Sequence, residues 1–386
     1  MQIDQLTIIL SAVILFMAIV TPFINPLFRW RCGHINKDDN VDNVDKSSDD
    51  LPPVSIVIIA HGNAKQLEEK LPLMLTQDYP SGYQIIVVAE RGDGNTEDIL
   101  KRYSSEKRLY ATFIPESSRY MSRKKLAVTI GVKAAHNEWV ILMDASTTPV
   151  SDNWLKIIAK NFNSKNNVVL SYTNYNKETS SFYKFERLIT SAYLFRKAMK
   201  GNAYGTNSSV IAFKKSDFYK YEGYRGNLQF LYGEFDFIVN NYSNHRCTLE
   251  LSPQSWTMDD EPSKKSWINT QLYDINISKH LRHGYGIRLL RGIDTFTMHV
   301  NYLAIIAMTI YSIYIQHWII TIVTGLALIV TLILRIAIGR KLIRLFHTDI
   351  SSWEIIPLEI RLFWMRLHMR LRYACTNKND FTSHKL

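Results

Sequence analysis

Three kinds of residue in this 386-residue sequence could do chemistry together: acids that end apolar runs, a pair of acids two apart, and a cluster of cations. Asp144 follows five apolar residues, 139–143, and precedes small polar ones. Such a run reads as a strand buried on both faces, and in an open α/β sheet ligands sit just beyond the carboxyl ends of the strands. Taken alone, Asp144 is equally a helix-capping acid. Glu90 ends a second apolar run, 83–88, and is either a site acid or a loop carboxylate balancing Arg91. Glu234 and Asp236 would share a face in an extended segment but diverge by about 200° on a helix. Arg123, Lys124 and Lys125 open the helix expected over 122–135. Cations there oppose the helix dipole, which favours a phosphate role for at least one lysine over a solvated first turn.

The elements that must position these groups alternate. Strands are expected at 54–60, 83–88, 110–114 and 139–143, and helices from Asn63, as a cap, through Leu75, then at 96–103 and 122–135. Pro72 lies inside the first of these helices and could kink it. Strands separated by helices imply right-handed crossovers and a mostly parallel sheet. A dinucleotide fold is excluded, because Gly92–Glu97 (GDGNTE) lacks the third glycine and AHGNAK after the first strand is not glycine-rich.

Composition narrows the partners. The net charge is +11 and the pI about 9.3, which suits phosphate esters or an acidic membrane surface. The positive charge lies largely beside apolar segments, so a nucleic-acid partner is not expected. Cys32, Cys247 and Cys375 form neither a disulfide framework nor a zinc spacing, which favours a reducing compartment. Residues 6–28 are long enough to cross a bilayer and lack signal-peptide features. Residues 296–339 divide at Gln316-His317 into a hairpin of two spans, 296–315 and 318–338. Basic flanks (Arg29, Arg31, Lys37; Arg288, Arg291; Arg335, Arg340, Lys341, Arg344) place the middle of the chain in the cytoplasm and the N-terminus outside. The expected order is therefore an N-terminal transmembrane helix (1–30), a polar acidic linker (31–53), a globular domain (54–290), a transmembrane hairpin (296–339) and a basic tail (340–386). In that tail Ile356, Ile360, Phe363, Trp364, Leu367 and Leu371 form one helical side, reading as an interfacial helix on anionic lipid. A helix packed on the globular domain is the alternative.

With these stretches in view, PVSIVIIAHGNAKQLEEKLPLMLTQDYP, YQIIVVAERGDGNTEDILKRY and SRKKLAVTIGVKAAHNEWVILMDAS together resemble the inverting family 2 glycosyltransferases of GT-A fold, in their membrane-anchored bacterial branch. The resemblance spans roughly 53–285. It implies that Glu90 contacts the donor nucleoside and that Asp144 is the first acid of a DxD motif, holding Mg²⁺ or Mn²⁺ against the donor diphosphate. Lys124 and Lys125 match basic positions of the donor site. Asn207 and Trp267 fall on the acceptor side, although Trp267 could equally be core. The segment 233–240 matches the one that supplies the catalytic base, with Asp236 the first choice and Glu234 the second. Ser146 stands where the second DxD acid is expected, Asn63 where a Glu is common, and Phe235 interrupts the acidic cluster.

The implied reaction moves a monosaccharide from a nucleotide-diphosphate sugar to a hydroxyl of a lipid-linked or polysaccharide acceptor, with inversion, at the cytoplasmic face of the inner membrane during envelope polysaccharide synthesis. Hard oxygen ligands and a cation would neutralise the departing diphosphate, and a carboxylate would take the acceptor proton. The alternative, motivated by Ser146 and Phe235, is a non-catalytic nucleotide-sugar-binding or scaffold protein of an envelope-assembly complex.

Overall fold

The computed structural model describes residues 5–28, 51–115 and 122–382. Most of the acidic linker expected at 31–53 lies outside them. Two compact units are present, one comprising Met1–Cys32 with His283–Arg366, the other Gly33–Arg282 with Leu367–Leu386.

The larger unit is built on strands that the sequence makes continuous and apolar. β1 (Val54–Ile59), β2 (Tyr83–Glu90), β3 (Leu109–Ile114) and β4 (Trp139–Asp144) run parallel in the order β3-β2-β1-β4. All six residues of β1 and five of six in β4 are buried, as expected of strands covered on both faces. The remaining strands are β5 (Thr147–Pro149), β6 (Val168–Ser171), β7 (Thr173–Tyr175), β8 (Val210–Lys214), β9 (Cys247–Glu250) and β10 (Thr257–Asp259). β8 joins the main sheet antiparallel to β4, followed by β6 and β9, while β5, β10 and β7 make a second, small sheet. β8 is thus the one antiparallel insertion in the main sheet.

The helices, in chain order, are α1 (Gln5–Ile24), α2 (Ala64–Leu75), α3 (Gly94–Arg102), α4 (Arg123–Ala134), α5 (Trp154–Ala159), α6 (Ser181–Ala198), α7 (Lys215–Lys220), α8 (Glu234–Tyr242), α9 (Lys264–Ile277), α10 (Tyr285–Tyr314), α11 (Trp318–Leu345) and α12 (Ile355–Cys375). Pro72 is accommodated within α2 without ending it. Asn63 does not cap α2 through its side chain, contrary to expectation. Its carboxamide is used elsewhere, accepting from the His61 amide and donating to Asp144 Oδ1. α4 lies against β1 and β2 at Gly131, where a β-carbon would come within 2.3 Å of the Val57 side chain. The absence of a side chain there lets the helix sit low on the sheet.

In the smaller unit, α1, α10 and α11 are long and apolar enough to cross a membrane. Their polar residues turn inward. Asn301 donates to the Thr331 hydroxyl at 3.1 Å, and Asn25 donates to Asp294 at 3.3 Å. Arg335, expected as part of a basic flank, is instead 1% exposed, bonded to Asp294 at 3.1 Å and to Glu359 at 2.8 Å. In α12 the predicted stripe is divided: Ile360, Trp364, Leu367 and Leu371 are exposed, whereas Ile356 and Phe363 are partly buried, Phe363 against the His299 ring. Ile355, Leu358, Leu362, Met369 and Tyr373 form the buried side instead.

Candidate active site

β2 and β4 flank β1, so their carboxyl ends bring Glu90 and Asp144 to the same rim of the sheet. The loop leaving β1 between them touches both: His61 Nδ1 lies 2.6 Å from Glu90 Oε1, and Asn63 Nδ2 lies 3.3 Å from Asp144 Oδ1. A cleft of about 510 Å³ opens beside Glu90, lined by His61, Arg91, Gly92, Asp93 and Asn95 among others. Arg123 adds a cation to Glu90 Oε1 at 2.5 Å. Burial alone would raise the Glu90 pKa, but the Arg123 hydrogen bond and the His61 charge outweigh it and hold the carboxyl below its ordinary value.

The three cations that open α4 part company, because consecutive helical residues point about 100° apart. Arg123 goes to Glu90. Lys124 lies between two acids, 3.4 Å from Asp144 Oδ2 and 3.5 Å from Glu234 Oε1. Burial would lower its pKa, but the Glu234 and Asp144 charges prevail and raise it, so it is a full ammonium. Lys125 turns away from both acids. It is fully buried and donates to the carbonyls of Asn227 and Phe230 at 2.8 and 2.6 Å, above the Phe237 ring. Burial brings its pKa down to about 8. The structure therefore gathers Glu90, Lys124, Asp144 and Glu234 at the rim and leaves Lys125 to staple a loop.

Asp144 is well occupied. Its Oδ1 accepts from the Ser146 amide at 3.1 Å and the Ser146 hydroxyl at 3.0 Å. Lys70, from α2, bonds the Ser146 carbonyl oxygen and also Asp260 at 2.8 Å, so a cation and an acid not singled out in the sequence stand beside the Asp144–Ser146 turn.

The acid pair is not extended. Gly233, at φ +88°, begins α8, and Glu234 and Asp236 occupy its first turn on different faces. Glu234 faces Lys124 and is buried, and among the described residues its Oε2 has no hydrogen-bond partner. Asp236 turns to the loop before β8, where its Oδ1 accepts from the Thr206 amide at 3.0 Å. Burial, aided by the Glu234 charge, pushes the Asp236 pKa up to about 7. Asn207 is held on both sides, accepting from the Ser191 hydroxyl and donating to the Arg187 carbonyl. Trp267 is buried against Phe182 and Tyr183, with ring centroids 5.8 and 5.5 Å away. Both contacts are those of packing residues.

Residues 55–221 match the model of the family described as glycosyl transferase family 2. Over this segment, which is less than half of the chain, the protein is similar to a family 2 glycosyltransferase domain. Its mostly parallel sheet flanked by helices is GT-A-like. Among solved structures, the chain is similar to the mannosyltransferase PcManGT from Pyrobaculum calidifontis in complex with GDP-Man and Mn²⁺, at 16% identity and a TM-score of 0.49, over 93% of this chain and 98% of that one. It is also similar to S. aureus TarS 1-349 in complex with UDP-GlcNAc, at 12% identity and a TM-score of 0.43, over 64% of this chain and 71% of that one. No curated protein matches.

What the glycosyltransferase domain offers a cation is limited. Asp144 Oδ2 and the Ser146 hydroxyl are hard oxygen donors of the kind Mg²⁺ or Mn²⁺ takes, and such ions often use one or two carboxylates with substrate phosphates completing the shell. Among the described residues, no group of three His, Cys, Asp or Glu could hold a metal by itself. With Lys124 in place the position is also opposed, since an ammonium about 4 Å from a dication is repelled by roughly 8 kcal/mol at an effective dielectric of about 20. The residues fit a cation that arrives together with a diphosphate.

Proposed function

We propose that this chain is a membrane-anchored glycosyltransferase that moves a monosaccharide from a nucleotide-diphosphate sugar to a hydroxyl of a lipid-linked or polysaccharide acceptor, by a single inverting displacement. The observation that carries the reading is the row Asp144, Lys124 and Glu234 at the carboxyl rim of the sheet, with Glu90 two strands away. Residues 54–290 form the cytoplasmic catalytic domain, set between the N-terminal span (1–30) and the hairpin (296–339). The tail over 340–386 presents Trp364, Leu367 and Leu371 to the lipid interface of the inner membrane.

Glu90 receives the nucleoside, because His61 and Arg123 both engage its Oε1 and orient the carboxylate toward the cleft. Asp144, backed by Ser146, would hold Mg²⁺ or Mn²⁺ together with the diphosphate, and an ion bound there would neutralise charge on the leaving group. Lys124 adds a second positive charge on the same side.

For the base, geometry favours Glu234 over Asp236. Glu234 is within two ionic contacts of Asp144 and has an oxygen without a partner, an arrangement that calls for an explanation in a buried acid. Asp236 is committed to Thr206 and shapes the loop that carries Asn207. Glu234 accepts the proton of the acceptor hydroxyl as that oxygen attacks the anomeric carbon, and the nucleoside diphosphate departs from the opposite face.

Purified protein in detergent, offered a panel of UDP- and GDP-sugars with Mg²⁺ or Mn²⁺ and read by mass spectrometry, should transfer or hydrolyse at least one donor. Turnover no higher than that of Asp144→Ala across the whole panel would sink the reading.

A further inference from the structure

Among the described residues, four cations stand around the Asp144–Ser146 turn and the α4 N-terminus, and three of them are fixed. Arg123 is 2.5 Å from Glu90, Lys125 has two carbonyl partners within 2.8 Å, and Lys70 is 2.8 Å from Asp260. Lys124 differs. Its two ionic contacts, at 3.4 and 3.5 Å, exceed the 2.7–2.9 Å of a strong charge-assisted hydrogen bond. Its side chain is 24% exposed, and its third neighbour is the face of the Tyr232 ring at 5.8 Å. A flexible four-carbon stem lets such an ammonium move at small cost.

Its location matters as much as its looseness. Ser146, the Ser146 amide and Asn63 already occupy Asp144 Oδ1, so Oδ2 is the oxygen left for a ligand. Lys124 stands at that oxygen. We propose that Lys124 is the counter-ion of the nucleotide-free site, and that Asp144 becomes available to a divalent cation only when a nucleoside diphosphate draws this ammonium away. The proposal rests on the donor-binding reading above. The diphosphate gives Lys124 anionic partners in exchange for Asp144, and it gives the cation oxygens that one carboxylate and one hydroxyl cannot supply. Moving Lys124 also frees the Glu234 carboxylate of its ionic contact, so the loaded donor side leaves that oxygen open toward the acceptor. Cation and nucleotide must then bind with positive coupling, and the coupling must be the same whichever binds first.

The test is cation uptake by the full-length protein in detergent, with free Mn²⁺ followed by its paramagnetic resonance signal and with UDP or GDP as the nucleotide probe. Mn²⁺ should bind at least tenfold more tightly with nucleotide than without, and nucleotide should tighten by the same factor with Mn²⁺. Asp144→Ala should lose the nucleotide-dependent uptake. Lys124→Met should raise Mn²⁺ affinity of the nucleotide-free protein by tenfold or more and shrink the coupling, whereas Lys124→Arg should keep the free-state affinity low. Because Lys124→Met leaves Glu234 buried without a partner, the double variant Lys124→Met/Glu234→Gln is measured beside it and should show the same gain. Equal Mn²⁺ affinity with and without nucleotide in the wild type overturns the proposal, as does no gain in either Lys124→Met form. Nucleotide binding with no Mn²⁺ uptake overturns it while leaving the donor reading standing. Failure of both UDP and GDP to bind overturns both.

Discussion

Each unit of the molecule contains one cation held between two carboxylates, and the two trios are built differently. In the membrane-type unit, Arg335 is 1% exposed and reaches Asp294 and Glu359 at 3.1 and 2.8 Å. In the glycosyltransferase domain, Lys124 is 24% exposed and its distances are 3.4 and 3.5 Å. Arginine offers a planar fork whose geometry matches carboxylates, while lysine is a mobile point charge. The first trio ties α10, α11 and α12 together through an arginine that is almost completely removed from solvent. The second is a loose arrangement beside a cleft, where an incoming anion can compete. The lesson is that the same charge pattern serves as a clamp when sealed and as an exchangeable partner when open.

Four experiments bear on that contrast. The largest effect is expected where the open trio meets chemistry: Glu234→Gln should lower kcat by about 10²–10⁴-fold while leaving donor affinity nearly unchanged, as loss of a general base does. Steady-state kinetics with separate donor titration reads both numbers, and an equal fall in Asp236→Asn alone would reassign the base. Next, Arg335→Met should destabilise its unit by about 3 kcal/mol, because the buried Asp294 and the partly buried Glu359 lose the charge between them, seen as a lower midpoint of thermal unfolding in detergent. A shift no greater than that of an exposed substitution would deny the clamp.

The third concerns pH. Asp236 has a folded-state pKa raised to about 7, above the ordinary carboxylate range. Between the unfolded value near 4 and about 7 the folded protein holds the extra proton, so this group's contribution favours folding at low pH and is lost as pH rises through 7. Thermal stability of Asp236→Asn should therefore match that of the wild type at or below about pH 4, pull ahead progressively as pH rises to about 7, and keep that lead at pH 8. The smallest effect is on stability at the open trio, where the double variant Lys124→Met/Glu234→Gln, which leaves no buried charge unpaired, should cost only about 1 kcal/mol, the scale of a partly solvated pair. A loss comparable to that of Arg335→Met would erase the distinction between the two trios.

How far the sequence disclosed all this depended on whether a feature was local. The continuous apolar runs VSIVII, YQIIVV and WVILMD revealed the parallel sheet, since burial on both faces leaves no polar alternation to confuse them. Glu90 and Asp144 were visible as acids ending those runs. The small sheet was not, because β5, β7 and β10 have three residues each and their pairing is entirely long-range. Lys70 belongs to an amphipathic helix and reads as one of its solvated charges, yet folding places it beside Ser146. For the acid pair, spacing left strand and helix open, and the chain resolves it as helix, with Gly233 at positive φ just before α8 begins at Glu234. His61 was passed over because its partner, Glu90, comes from another strand.

Gly131 gives the arrangement a remote point of control. It lies two turns beyond Lys124 on the same rigid rod, pressed onto the Val57 side chain. A methyl group added there would have to lift α4 or displace Val57, and lifting the helix would carry Arg123, Lys124 and Lys125 together away from their acids and carbonyls. One carbon atom inside the core would thus detune all three cations of the first turn of α4 at once.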